Sequence, residues 1–333
     1  MNRTRYFSTL FLFFAFLLIT IGVAPLIGGT QIDIVRAFSS DIPFEQNIDA
    51  NILFLARLPR ILLAGLAGAS LAISGAVFQA LLRNDLAAPF TLGVSSGAAF
   101  GAVSFIATGA SFSFLGIQGI SWCAFAGALL AVGLVFSLTR VRNNEFQTAT
   151  LLLAGVTANF FFAALVMFIH YLSDFMQSFR IVRWLMGGLD ITDYGTVLSV
   201  VPPVAIGFIL LMIIARDLNL ISAGVGAAMS RGVDVAKIQQ GGFILASLIT
   251  GTVVAFTGPI GFVGLIAPHI VRLVVGPDLR LLLPTTFMFG AAFLIICDTV
   301  ARTLISPTEI PVGVITAVLG GPFFVWLLKR KKA

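Results

Sequence analysis

The chain has 333 residues, 59% of them hydrophobic and 10% charged, with a formal net charge of +6. A soluble domain carries about 25% charged residues, so a soluble fold of this length is excluded for want of polar surface. Apolar runs of about 20 residues, enough for a helix to cross about 30 Å of hydrocarbon, describe a helical integral membrane protein, and the short alternating segments of an outer-membrane barrel are absent.

Ten spans are predicted, at about 7–27, 58–82, 91–108, 114–139, 148–171, 195–215, 237–257, 259–274, 281–302 and 311–328. The first run, Phe7 to Ile27, is too long for the apolar core of a secretion signal and no A-x-A site follows, so it reads as a retained span. Residues 28–57 form a long outer loop with acids and one proline. Gly93, Gly97 and Gly101 recur every four residues along one face of span three. Small residues there let helix backbones approach closely. Cys123 and Cys297 both fall in apolar runs and read as small buried hydrophobes.

Residues 172–194 form a second outer loop, whose SFRIVRWLMGGLD reads as a short interfacial helix at about 176–190 with Trp184 at headgroup level. The longest inner segment, 216–237, reads as two short helices broken around Gly224 to Gly226. It suits either docking of a soluble partner or a plain surface connection. Gly258-Pro259 interrupts one long apolar run between the seventh and eighth spans, and leaving that run undivided gives nine spans, with the termini on opposite sides, as the alternative. Span eight carries GFVGLIAPHIVR, with Gly258, Gly261 and Gly264 expected on a close-packed face. Pro268 lacks a backbone donor and is expected to bend or end the helix. His269 and Arg272 are expected to emerge on the inner surface, where a helix C-terminus favours a cation. In span nine, Asp298 lies four residues before Arg302, a spacing that favours a pair on one helix face. A proton-relay role for Asp298 is the alternative.

With both ends inside, 14 of the 20 Lys and Arg residues fall on the cytoplasmic side, including all four lysines. This is the asymmetry that the positive-inside rule requires, so the basic character reflects topology and gives no sign of nucleic acid. The chain has no G-x-x-x-x-G-K-[ST], H-E-x-x-H or G-x-S-x-G and no metal-ligand spacing. An enzyme is a poor fit, and no cofactor or metal is expected in this chain. Ion-coupled carriers keep ionisable groups deep in the membrane, and Asp298 is the main candidate here. Two readings follow: a transport subunit powered by a separate ATPase, or a secondary transporter coupled through Asp298.

The motifs RLPRILLAGLAGASLAISGAVFQALLRN at 57–84, LLLAGV at 151–156, GPIGFVGLIAPHIVR at 258–272, GAAFLIICDTVAR at 290–302 and EIPVGVITAVLGGPFF at 309–324 run almost the whole length of the chain. The chain resembles the FecCD family, the BtuC-like permeases of type II ABC importers for iron-siderophore, haem and vitamin B12. The resemblance implies a single all-α transmembrane permease domain over 1–333, with about ten helices and an inverted relation between spans 2–5 and 7–10. It implies a second permease subunit (a second copy or a paralogue), two ATPase subunits carrying the ATP, and a periplasmic or lipid-anchored substrate-binding protein. The location implied is the bacterial cytoplasmic membrane, among lipid, with both termini cytoplasmic.

Carried over by motif, Arg57, Arg60 and Arg302 are expected to meet glutamates of the binding protein. Ala223, Gly224, Ser230, Arg231 and Gly232 lie in the segment expected to couple to the ATPase, and Gln147, Thr148 and Ala149 stand at an expected inner gate. Pro268, His269, Arg272 and Asp298 belong to the structural motifs. One departure is Asp85 in RNDLAAP, where the family commonly has proline; it adds a charge expected near Arg83.

Overall fold

The structure is a computed structural model and describes residues 3–39, 42–139, 148–189 and 193–332. In chain order its helices are α1 (Arg3–Val23), α2 (Ile34–Ala37), α3 (Ile48–Asn51), α4 (Leu58–Leu82), α5 (Val94–Ala107), α6 (Gly119–Thr139) and α7 (Thr148–Leu172). They continue as α8 (Phe175–Leu185), α9 (Tyr194–Ala223), α10 (Val225–Met229), α11 (Val235–Thr257), α12 (Val263–Val275), α13 (Leu279–Thr303) and α14 (Val312–Lys332). Among the described residues, seven helices are long and apolar enough to cross a membrane, and three shorter apolar ones, α5, α12 and the Val312–Leu327 part of α14, bring the set to the ten expected.

The centre of the bundle is α4. Every residue from Ala67 to Leu82 is buried, as expected of a helix that is apolar all round. It packs on α9, α11, α12 and α13. Two glycines permit the closest approaches: a Cβ on Gly68 would lie 2.1 Å from the Gly290 carbonyl oxygen of α13, and one on Gly75 would lie 1.7 Å from that of Gly264 on α12. The Gly93-Gly97-Gly101 repeat serves packing as well. Gly97 meets the backbone of Gly127, and Gly101 that of Cys123, both on α6. Cys297 is buried, whereas Cys123 is only partly so. At the periphery α1 lies against α13 through Phe13 and Phe16 on Phe289, with Phe7, Phe11 and Leu12 turned outward.

The two short helices α5 and α12 are the third and eighth spans, corresponding members of the groups 2–5 and 7–10. Each is entered through a left-handed residue, Gly93 (φ 82°) and Phe262 (φ 66°). The irregular backbone before each is buried at Leu92 and Ile260, the one setting in which a membrane protein tolerates non-helical backbone at depth.

Several boundaries differ from expectation. The second half of the 28–57 loop is helical: α3 passes into a π-helical stretch, Ile52–Arg57, that runs directly into α4. Span four starts later, because Ser113–Phe114 and Ile117–Gln118 form a small hairpin whose turn residues Leu115 and Gly116 both have positive φ. The outer-loop helix ends at Leu185. In span eight, Gly258 and Gly261 precede the helix, so only Gly264 of the three expected glycines lies on its packed face. Pro268 does not end that helix, which continues to Val275.

Candidate functional site

The ionisable groups gather at the two ends of the bundle. At one end, which we call the arginine end, Arg57, Arg60 and Arg302 come together as the motifs suggested, but in a different manner from projecting side chains. Arg57 is buried in the π-helical turn before α4. Its guanidinium donates to the backbone carbonyls of Pro25 and Thr30, pinning the loop after α1 to the bundle. Gly28 leaves room for it, since a Cβ there would meet the guanidinium.

Arg60 and Arg302 share Asp298, which is 0% exposed. Arg302 Nε donates to Asp298 Oδ2 at 3.0 Å, and Arg60 Nε donates to Oδ1 at 3.0 Å. Arg60 Nη1 also reaches Glu309 Oε2 at 2.6 Å, just before α14. The i,i+4 pair is therefore present, and a second arginine from α4 encloses the carboxylate from the other side. This cluster joins α4, α13 and the approach to α14 where their backbones are already close.

A recess of about 440 Å³ opens at this end, and Arg57, Arg60, Arg183, Arg302 and Glu309 all line it. Arg183 belongs to α8 and was not singled out from the sequence. Its signal was available: the amphipathic SFRIVRWL puts Arg180 and Arg183 on one short helix.

That helix is firmly mounted. Asp174 caps it by accepting from Gln177 N at 2.8 Å, and Gln177 Oε1 accepts in return from Asp174 N, a reciprocal capping box. Gln177 Nε2 donates to Ala107 O on α5. At the far end Gly188 N donates to Thr257 O and Gly313 N to Gly187 O. Close glycine contacts there bind α8 to the break between α11 and α12 and to the start of α14.

The opposite end holds segment 216–237. Residues 216–223 are the unbroken continuation of the 30-residue α9 rather than a separate short helix. The chain breaks at Gly224 (φ 148°), directly after Ala223. The five-residue α10 follows, and a turn through Ser230, Arg231 and Gly232 (φ 79°) leads to α11, capped by Asp234. Only Ala228 of α10 is buried, while Ser230, Arg231 and Gly232 are exposed. The result is a compact knuckle whose backbone needs glycine at both corners, since both adopt positive φ.

Beside it, Asn219 Nδ2 donates to Asp278 Oδ1 at 2.7 Å, and Leu279 N donates to Asn219 Oδ1. This ties the end of α9 to the start of α13. Asp278, just outside the span, is held down at about 2 chiefly by the hydrogen bond from the Arg280 side chain, then by the backbone N–H of Arg280 and by Asn219. A carboxyl depressed on folding stabilises the fold above its ordinary value, and the benefit is lost as pH falls toward the folded one. Asp278→Asn is therefore expected to lower the melting temperature slightly at pH 7, with the gap from the parent chain closing between about pH 4 and pH 2. The Asp278 side chain is nearly half exposed, so water screens the pair and the effect stays below about 1 kcal/mol.

The GFVGLIAPHIVR motif ends here too. His269 packs edge-on against Phe323 of α14, with ring centroids 5.8 Å apart. Arg272 donates through Nη1 to Asp85 Oδ1 and through Nη2 to Gln79 Oε1, both at 2.8 Å. Asp85, expected near Arg83, thus pairs with an arginine 187 residues away. Arg272→Leu is expected to cost about 1–3 kcal/mol by stripping the partner from the buried Gln79 carbonyl. Asp85→Asn should cost less than about 1 kcal/mol, and adding Gln79→Leu to Arg272→Leu should recover most of the loss. Thermal unfolding of the solubilised chain reads all three. Of the expected inner-gate residues, Gln147 lies outside the described residues, while Thr148 and Ala149 open α7.

Comparison with known proteins bears on the whole chain. The model of the FecCD transport family matches residues 12–330. The cobalamin import system permease protein BtuC of Halobacterium salinarum is 46% identical over 83% of this chain and 73% of its own. The hemin transport system permease protein HmuU of Yersinia pestis is 39% identical over 83% of this chain and 82% of its own. A solved inward-facing conformation of a metal-chelate type ABC transporter superposes with a TM-score of 0.83 at 33% identity, covering 98% of this chain and 99% of the other.

Proposed function

Because the chain belongs to the FecCD transport family, we propose that it is the membrane-spanning subunit through which an ATP-binding-cassette importer brings a metal chelate into the cell, driven by an ATPase carried on other chains. The observation that carries this reading is the end-to-end superposition on a metal-chelate type transporter. The substrate class is a ferric siderophore, haem, cobalamin or a similar bulky chelate, as the names of the relatives suggest.

In this reading the 216–237 end faces the cytoplasm, both termini lie there, and the membrane is the cytoplasmic one. The α10 knuckle, exposed at Ser230 and Arg231 and cornered by Gly224 and Gly232, is the contact for one of two ATPase subunits. The arginine end receives a binding protein whose acidic side chains enter the recess bearing Arg57, Arg60 and Arg302. Because Arg57 and Arg302 are already engaged within the chain, docking adds to a formed cluster and does not order loose side chains. The outward apolar faces of α7 and α14, among them Leu153, Phe160, Val318 and Trp326, suit lipid and a second permease subunit. Transport proceeds by alternating access between two such subunits.

The ion-coupled reading finds little support in the geometry. Asp298 is enclosed between Arg60 and Arg302, a closed ion pair rather than a carboxyl facing a pathway. The test is purification of the tagged chain from its own membranes in mild detergent, with identification of what accompanies it. The expected result is a stoichiometric P-loop ATPase that is lost when Gly224 and Gly232 are both replaced by valine. A chain that purifies alone and drives uptake in vesicles without ATP would overturn the reading.

A further inference from the structure

At the arginine end two further small hollows run into each other, sharing Ala255 and Phe256 of α11. One, of about 210 Å³, is a mouth lined by Gln118 of the hairpin and by Arg180 and Trp184 of α8. The other, of about 170 Å³, is a slot between α6, α9 and α11, lined by Trp122, Phe125, Pro203 and Phe256 with Ser121 and Ser199. We propose that mouth and slot form one binding groove for an anionic phospholipid, with the phosphate at Arg180 and an acyl chain in the slot. The assignment needs only that the chain crosses a membrane.

Depth and size argue for a lipid chain. Phe125 lies six residues into α6, Pro203 nine into α9, and Thr252, on the third wall, five before the end of α11. The slot therefore reaches roughly 8–14 Å below the helix ends, at about 1.5 Å per residue. Leu198 and Val201, beside Ser199 on α9, are 69% and 38% exposed, so this side of the bundle faces hydrocarbon. Small-molecule sites run from about 300 to 1,000 Å³, and the slot falls below that range: too small for a bulky ligand, wide enough for one chain. Its walls also carry polar groups in want of a partner. Ser121 is 2% exposed, and its hydroxyl has no hydrogen-bond partner among the described residues. Pro203 has no N–H, so the Ser199 carbonyl, four residues earlier, lacks its helical donor. A buried hydroxyl left unpaired is costly, and the ester carbonyl of a phospholipid, just below its phosphate, is an acceptor for Ser121. At the mouth Arg180 is exposed, and among the described residues no carboxylate lines the hollow. Arg183 lines it too, but is engaged within the chain. A guanidinium fork matches the two free oxygens of a phosphodiester. Tryptophans gather where headgroups meet the apolar interior, which suits Trp184 in the mouth and Trp122 one turn into α6. The Trp122 ring is held there, its Nε1 donating to Phe114 O at 3.2 Å.

Trp122 is also the reporter. The chain has three tryptophans, and replacing Trp184 and Trp326 by phenylalanine leaves Trp122 alone. This full chain is placed in nanodiscs of phosphatidylcholine with a rising fraction of phosphatidylglycerol brominated on its acyl chains. The reference series uses brominated phosphatidylcholine with the same chains. The expected result is quenching of Trp122 that half-saturates at about fivefold less phosphatidylglycerol than phosphatidylcholine, the size of one basic residue at a charged surface. Arg180→Gln should erase the preference while brominated phosphatidylcholine quenches as before, and Arg180→Lys should keep most of it. Ser199→Leu, which fills the slot, should weaken quenching by both lipids. The melting temperature should not move in any of the three. Equal quenching by the two lipids in the parent chain overturns the groove, as does a preference unchanged in Arg180→Gln. Quenching unchanged in Ser199→Leu also overturns it, because Trp122 then meets only the chains that surround any membrane protein. Arg180 is an exposed position, so its substitution decides the question even where Ser199→Leu proves unstable.

Discussion

Asp298→Ala is expected to destabilise the bundle by about 3–5 kcal/mol, the cost of removing one partner from a buried ion pair. The magnitude follows from what remains. Asp298 is fully buried and each of its oxygens accepts from a different guanidinium. Without it, two cations face each other at low dielectric, and only Arg60 keeps an acid, the half-exposed Glu309. Glu309→Gln is the control and should cost less than about 1 kcal/mol, as for an ion pair open to water. Replacing Arg60, Asp298 and Arg302 together with apolar residues should recover much of the loss, because the desolvation of all three charges disappears with them. The measurement is thermal unfolding in nanodiscs, followed by the fraction that stays monodisperse. It also bears on mechanism: a proton relay at Asp298 would abolish transport in Asp298→Asn while leaving the melting temperature alone, whereas an ion-pair clasp loses both together.

Each apolar run holds a helix in the structure, because hydropathy reports where lipid is. The runs misjudged where helices stop, for the same reason. Residues 216–223 are helical beyond the apolar run, and nothing in their polarity distinguishes a helix emerging from the membrane from a loop. Local spacing exposed the Asp298–Arg302 pair and the Gly93-Gly97-Gly101 face. It could not expose Arg60 on Asp298 or Asp85 on Arg272, partners 238 and 187 residues apart. Arg183 was visible as a charge on an amphipathic helix, but one hollow it lines is closed by the distant 308–312 segment. Pro268 misled for a definite reason. Proline deprives the carbonyl four residues earlier of its helical donor, and that carbonyl belongs to Gly264, the group on which Gly75 is packed. A break expected in isolation is accommodated where another helix covers the freed oxygen, in a position suited to a Cα–H···O contact.

That contact makes Gly75, of the described glycines, the one at which an added methyl would meet its neighbour most closely. An added Cβ would sit 1.7 Å from the Gly264 oxygen and 2.5 Å from its carbonyl carbon, both backbone atoms. Overpacking a core usually costs about 1–3 kcal/mol because side chains can yield. Here α4 or α12 must shift as a whole, and α4 is buried against four other helices. The expected loss lies at or above the top of that range, and no well-folded chain should be recovered from membranes. Gly133→Ala in α6 and Gly241→Ala in α11 are the counter-experiment, since nothing lies within 4 Å of a Cβ at either position. Removing an interior helix glycine there should be neutral or stabilising by up to about 1 kcal/mol. Yield of monodisperse protein and melting temperature, compared across the three variants, separate a general intolerance of glycine replacement from the specific contact. If Gly75→Ala behaves like Gly133→Ala, then α4 and α12 do not meet backbone to backbone, and the carbonyl released by Pro268 must be satisfied by something other than Gly75.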